Sequence, residues 1–322
     1  SKKNIILAGI AFGISELFKF SLILLVPFFG FLALIWWLIR SGSLKQILKV
    51  LISVFVIGLI LIGVIYQYHT WNYPAERQVR DTEFLLSSFG NRPMANSVIW
   101  LADKPVLRPY AQYLLGVFMV LQRAAGGNTT YFLGEVSASG WKNYFPIVYL
   151  AKEPSAFHIL TLIALLYAIW LRKKLSFPIF SMFSFIGLYW LTSLTGNLNI
   201  GVRHLLPVFP FTILLVSAML TKLLKEPYLK LKYALGGVLI IWQIISVISV
   251  YPSFLAYFNE LAGGPSNGYK YVVDSNLDWG QDLKRLEKWT EKNNINKIYL
   301  DYFGGSDAKF YLKEKYAPWW GD

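Results

Sequence analysis

The chain has no cysteine. That excludes a disulfide framework and any thiolate metal site. Its three histidines, His69, His158 and His204, are too far apart for a zinc motif. Acidic residues are scarce, 18 in all, and none lies between Glu153 and Glu226. Charged residues make up only 15% of the chain, too few for an ordinary soluble surface over 322 residues. No signal peptide is visible, and the start, SKKNIILAG, reads as the interior of a longer protein.

Apolar windows of membrane length fill the space left by charge. They are Phe20–Ile39, Val50–Tyr66, Ser155–Leu171, Phe177–Thr195, His204–Thr221 and Tyr233–Tyr251. Each has the length of a helix crossing a hydrocarbon core of roughly 30 Å at about 1.5 Å per residue. Buried helices of a soluble protein would not need six such windows. Asn4–Ser15 is apolar but short. It predicts either a seventh crossing or a re-entrant segment that leaves six.

The net charge of +13 would suggest a nucleic-acid partner on a soluble protein. Its placement says otherwise. The loops Arg40–Lys49, Arg172–Ser176 and Lys222–Lys232 hold ten Lys or Arg and one acid, Glu226. Lys2 and Lys3 fall on the same side of the spans. The segment Gln67–Pro154 carries eight bases and six acids, and Pro252–Asp322 nine bases and ten acids. An excess of bases in alternate short loops is the positive-inside pattern. It places those loops in the cytoplasm and excludes nucleic acid as a partner.

The predicted fold class is a mainly α polytopic bundle of six or seven spans. Residues 1–251 form the membrane bundle, with an extracytoplasmic region at 67–154, and 252–322 form a small extracytoplasmic α/β tail. Tyr113–Leu121 is apolar but too short to span, which predicts a helix lying in the interface. In the tail, Tyr269–Val273 and Lys297–Phe303 predict strands. Asp282–Lys292 predicts an amphipathic helix capped by Asp278, and Ser306 with Asp307 predict the start of another running to Tyr316. The D-x-N-x-D spacing of Asp274, Asn276 and Asp278 resembles a calcium loop, but Gly280 is one place late and Arg285 stands where Glu is needed.

The stretch GNLNIGVRHLLPVFPF, Gly196–Phe211, sets Arg203 and His204 at the outer end of a span with no acid nearby in sequence. Lys19 falls on the same face by the same count. Such cations anchor in headgroups, or they bind an anion: Arg offers a planar fork that fits phosphate, and Lys a point charge. His204 beside Arg203 could donate to the same phosphate or pack on a Tyr or Trp. The aromatics Trp141, Tyr144, Phe145 and Tyr149 crowd before the next span, as interfacial anchors do.

LNIGVRHLLPVFPF resembles the "RYLLP-x-YP" stretch of bacterial membrane glycosyltransferases of family 39, GT-C class enzymes related to protein O-mannosyltransferases. AGIAFGISELFKFSLILLVP is similar to their "AGLALGLALLTKF" helix pair, with Glu16 replacing a small or apolar residue. YFLGEVSASGWKNYFPIVYLAKEP is similar to their "GE-x-S-x-x-GWWYYFPVAFLLKTP" segment. AYFNELAGGPSNGYKYVVDSNLDWGQDLKRL is close to a tail that many members carry. The resemblance runs in order from Ala8 to Leu286.

It implies an enzyme that moves a sugar from a polyprenyl-phosphate donor to a protein, lipid or glycan acceptor on the outer face of the bacterial cytoplasmic membrane. It implies lipid-phosphate or donor binding by Lys19 and Arg203, with His204 beside them. Glu135, Trp141 and Tyr144 are candidates for sugar or acceptor contact. For Glu135 the structural alternative is a bond to Lys142 or to backbone amides. The family's catalytic acid lies in a first outer loop with no counterpart here, so no catalytic residue is expected in this chain, which alone is expected to be inactive. No cofactor follows with certainty, and the resemblance leaves room for a divalent metal held by the upstream acids. The competing reading is a transporter or flippase subunit, with a polar path running past mid-membrane. A scaffold whose Lys19 and Arg203 only touch headgroups is a third. The transferase reading predicts Lys19, Arg203 and Glu135 around one outer cavity.

Overall fold

The computed structural model describes residues 1–40, 43–171, 176–226 and 231–320. The basic residues expected at 172–174 and at Lys230 lie outside the described residues. The chain is mainly helical and divides into two compact units, Ser1–Gly127 and Asn128–Asp322.

The first unit holds α1 (Lys2–Phe18), α2 (Leu25–Arg40), α3 (Leu44–Thr70), α4 (Ala75–Leu85), α5 (Arg92–Ala102) and α6 (Arg108–Gly126). Ser1 caps α1 by accepting from the Asn4 amide. At Lys19 the backbone turns extended, and a 3-10 segment, Phe20–Leu24, leads into α2. α1 lies along α3 because small residues let the two backbones approach. A Cβ on Gly13 would sit 3.0 Å from the Gly58 Cα, and one on Gly58 only 2.4 Å from Phe12 Cδ1. Ile62, Leu86, Val98, Tyr113 and Phe118 form the core beneath. Glu16 is 1% exposed and accepts a 2.6 Å hydrogen bond from the Tyr113 hydroxyl, which ties α1 to α6.

The Tyr113–Leu121 expectation is corrected here. The helix is 19 residues long, and Tyr113, Leu115, Val117 and Phe118 are buried. Most of its apolar face packs against α3 and α5, while Met119 and Leu121 stay exposed, so the helix is a packed element of this unit and not only a surface segment.

The second unit begins with the hairpin β1 (Thr130–Phe132) and β2 (Glu135–Ser137), antiparallel, with Phe132 opposite Glu135. Both residues of its turn, Leu133 and Gly134, have positive φ, as a two-residue primed turn requires. Next come α7 (Tyr144–Lys152), α8 (Ser155–Leu171), α9 (Phe177–Thr195), a 3-10 turn at Val202–Val208, α10 (Phe209–Lys225) and α11 (Leu231–Ile248). α7 and α8 meet at 111°, where Pro154 forces Glu153 out of the helical region.

Among the described residues five helical stretches are long and apolar enough to cross a membrane: Phe20–Arg40, Leu44–Thr70, Phe177–Thr195, Val202–Lys225 and Leu231–Ile248. The bent α7–α8 pair makes a sixth if it counts as one span. α1, at 17 residues, is not among them. A membrane bundle is therefore plausible on length and composition, with five or six candidate spans among the described residues, the six agreeing with the lower of the two expected counts.

The tail is mostly short 3-10 turns, followed by α12 (Leu283–Lys292), β3 (Ile298–Leu300), α13 (Ala308–Leu312) and β4 (Tyr316–Pro318). β3 and β4 pair in parallel. Three tail expectations are corrected. Tyr269–Val273 is not a strand, because a 3-10 turn occupies Pro265–Lys270. α13 stops at Leu312, where Lys313 takes a positive φ, and Tyr316 enters a strand instead. Asp278 does not cap α12: its carboxylate accepts from the Gly280 amide, and Asp282 stands at the N-cap. Asp307 does cap α13, accepting from the Lys309 amide at 2.9 Å.

Candidate functional site

The Gly196–Arg203 loop is held from below by α7 and from the side by the tail. Asn276, 2% exposed, is the hub. Its Oδ1 accepts from the Val202 amide at 3.1 Å, and its Nδ2 donates to the Tyr144 hydroxyl at 3.1 Å. Its backbone carbonyl accepts from Lys152 Nζ at 2.6 Å, and Lys152 also donates to the Leu255 carbonyl at 2.6 Å. The Ser275 hydroxyl donates to the Ile200 carbonyl at 2.9 Å. Gly201 sits at φ +96°, and a Cβ there would press on Asn276 Oδ1 at 2.8 Å, so only glycine allows this closeness. Asn259 adds two further ties, from Nδ2 to the carbonyls of Leu150 at 2.6 Å and Glu153 at 2.7 Å. Residues 252–322 are thus bonded into the second unit.

On this platform Arg203 uses its Nε once, toward the Ile200 carbonyl at 3.2 Å. Its guanidinium carbon lies 4.3 Å from the centre of the Trp279 ring. Stacking on an indole lowers the cost of holding a cation there and leaves the in-plane N–H fork for another acceptor. Among the described residues no carboxylate reaches ion-pair distance of Arg203.

His204 is half-buried between Phe145 and Tyr189, with ring centres 5.2 and 5.6 Å away. Tyr144 is 1% exposed, with Phe132 at 5.2 Å and Phe145 edge-on at 5.2 Å. No ring face is left for a ligand; its hydroxyl instead supports Asn276. Trp141 is half-buried, 5.4 Å from Phe132, and its amide donates to Asn199 Oδ1 at 2.6 Å. Glu135 is exposed on β2, and among the described residues it forms no ion pair with Lys142. Lys19 belongs to the first unit, exposed at the C-terminus of α1 one turn beyond Glu16.

Sequence reasoning missed Trp279 as the partner of Arg203 and Asn276 as the hub beneath its loop. They lie more than 70 residues away along the chain, and only the packing of the tail brings them in. The signal available was weak: a run of small polar residues, DSN, before an exposed Trp. Among the described residues no three His, Cys, Asp or Glu side chains gather into a cluster able to hold a metal. The charged tie nearest the tail's entry is Glu260. Partial burial works to raise its carboxyl, but bonds from Ser155, its own backbone, Trp242 and Ser246 outweigh this and hold it at about 2.

Fold and site together define a mainly helical chain with apolar helices suited to a membrane and a stacked arginine beside their connecting loop. Comparison with family models, with curated proteins and with solved structures returned no match to this chain.

Proposed function

We propose that this protein is an integral membrane glycosyltransferase component that binds a polyprenyl-phosphate sugar donor at the outer face of a bacterial cytoplasmic membrane. A protein, lipid or glycan hydroxyl would receive the sugar. The reading starts from the motif resemblance. The observation that carries it further is the state of Arg203: stacked on Trp279, bonded through Nε alone, and without a carboxylate partner among the described residues. A guanidinium presented in this way suits two oxygens of a phosphate. In the transfer step the lipid phosphate departs with the electrons of the bond to the sugar, and a fixed cation stabilises that charge. Arg203 precedes α10, whereas Lys222 and Lys225 lie in its last turn. A basic inner end and an anion site at the other end are what an outward-facing transferase needs. The proposal gives Lys19 the same role, on the resemblance alone.

The test is binding. Wild-type full chain in nanodiscs should bind a polyprenyl phosphate more tightly than the neutral polyprenol. Arg203→Ala should weaken phosphate binding about tenfold or more, the worth of one charge-assisted pair, and leave polyprenol binding unchanged. Arg203→Lys should fall between, since it keeps charge but loses the fork. Equal affinity of wild type and Arg203→Ala for the phosphate would end the anion-site reading.

A further inference from the structure

A cavity of about 550 Å³ lies among α8, α10 and α11. Its walls are mainly aliphatic, from Leu160 and Ile163 on α8, Ile213 and Leu220 on α10, and Leu239 and Ile240 on α11. Along α10 it runs from Phe209 to Leu224, about 22 Å at 1.5 Å per residue. A void of that length between apolar helices would forfeit dispersion contacts on every side. Between the two ends only Ser217, Thr221 and Gln243 offer polar side chains, so water would find few partners along most of its length. A hydrocarbon chain entering from the bilayer would find apolar walls.

The two ends differ in charge. Glu153 lines one end and Lys232 the other. Lys222 and Lys225 stand in the adjoining last turn of α10. Lys232 Nζ donates to the Leu223 carbonyl at 3.0 Å and to the Glu226 carbonyl, which uses two of its three N–H donors. Glu226, the acid of this end, has its carboxylate bonded to the Tyr167 hydroxyl at 3.2 Å.

We infer that this groove is a binding site for an anionic phospholipid, with the phosphate at Lys232 and one acyl chain along the cavity toward Glu153. The inference rests on α10 and α11 crossing a membrane and is independent of the Arg203 site. Charge sets the direction: Lys232, with Lys222 and Lys225 in the adjoining turn, draws an anionic head, and no base lines the Glu153 end among the described residues. Basic mouths between membrane helices on the cytoplasmic side recognise anionic headgroups in this way. Gly236 lines the groove, and a Cβ built there meets no atom within 4 Å, so the position has room for a larger side chain.

The full chain is reconstituted in phosphatidylcholine vesicles containing spin-labelled phosphatidylglycerol or spin-labelled phosphatidylcholine of the same chain length. Motionally restricted lipid is then measured by electron paramagnetic resonance. Wild type should restrict phosphatidylglycerol in preference to phosphatidylcholine. Lys232→Gln, which still can cap the α10 carbonyls, should reduce that preference about fivefold, the effect of one lysine near a headgroup. Gly236→Phe should abolish the selective component while leaving the melting temperature within a few degrees. Equal restriction of the two lipids by wild type overturns the site, as does an unchanged preference in both variants. Displacement of the labelled lipid by polyprenyl phosphate, but not by unlabelled phosphatidylglycerol, would assign the groove to the carrier and overturn it too.

Discussion

Glu260 shows how an exposed carboxylate can act as a latch. Its Oε2 accepts from the Ser155 hydroxyl at 2.6 Å, and its Oε1 from the Trp242 indole at 2.9 Å and the Ser246 hydroxyl at 3.1 Å. One side chain thereby joins the tail to the start of α8 and to α11. All three donors favour the ionised form, which is why the carboxyl sits at about 2 instead of the usual 4.5. A carboxyl depressed on folding contributes stability above its unfolded value, and this is lost as pH falls toward the folded one. The melting temperature of the wild type should therefore drop between about pH 4.5 and pH 2, while Glu260→Gln should lack that component of the drop. Parallel pH profiles for the two proteins would show that the latch contributes nothing measurable.

At the scale of elements, the α1–α3 contact depends on the absence of side chains. Gly58→Leu would drive its Cβ into Phe12, which is itself 5% exposed and fixed in place. Overpacking of this kind costs about 1–3 kcal/mol, and the cost falls on the first unit. A melting-temperature loss of several degrees in detergent, with Gly236→Ala as the unaffected control, is the expected result; a wild-type melt for Gly58→Leu would mean that α1 is not held against α3. The helices themselves were legible in the sequence, because a long run without charge admits few other structures. The break at Pro154 was legible because proline cannot continue a helix, whereas the 3-10 segment at Pro207 was not, since the apolar window His204–Thr221 runs across it. The β1–β2 hairpin was not, since its turn is Leu133-Gly134 and lacks the usual Asn-Gly or Asp-Gly signal; the Leu133 amide is instead held from the tail by the Tyr271 carbonyl at 2.9 Å. α6 was misjudged because a short apolar run reads alike whether it faces lipid or a protein core. At the candidate site, Arg203 stood out by isolation from acids, a one-dimensional property. Trp279 did not stand out, and Asn276 did so only within a spacing that resembles a calcium loop, since their meaning comes from contacts that no local spacing encodes. Tyr144 was read as an interfacial anchor or a sugar contact because it clusters with Trp141 along the chain; burial under Phe132 and Phe145 makes it a support instead.

For the whole molecule, the distribution of basic residues makes a definite statement about orientation. Lys45 and Lys222 belong to the basic loops, and Ser139 and Lys297 to the charge-balanced regions; all four are exposed. A chain without native cysteine allows each to be replaced singly by Cys with no background. In intact cells a membrane-impermeant maleimide should label Ser139→Cys and Lys297→Cys. It should label Lys45→Cys and Lys222→Cys only after permeabilisation, because bases retained in short loops mark the cytoplasmic side. Labelling of Lys222→Cys in intact cells would reverse the orientation and remove the outer-face assignment of Arg203 with it. The same experiment decides α1. At 17 residues this helix reaches about 26 Å, slightly short of a hydrocarbon core of roughly 30 Å, and it carries Lys2 and Lys3 at one end and Glu16 at the other. If it crosses, Lys3→Cys is protected in intact cells and Lys19 shares the outer side with Arg203. If it is re-entrant, Lys3→Cys is labelled from outside, and the two lysines at its start serve the same membrane face as Lys19.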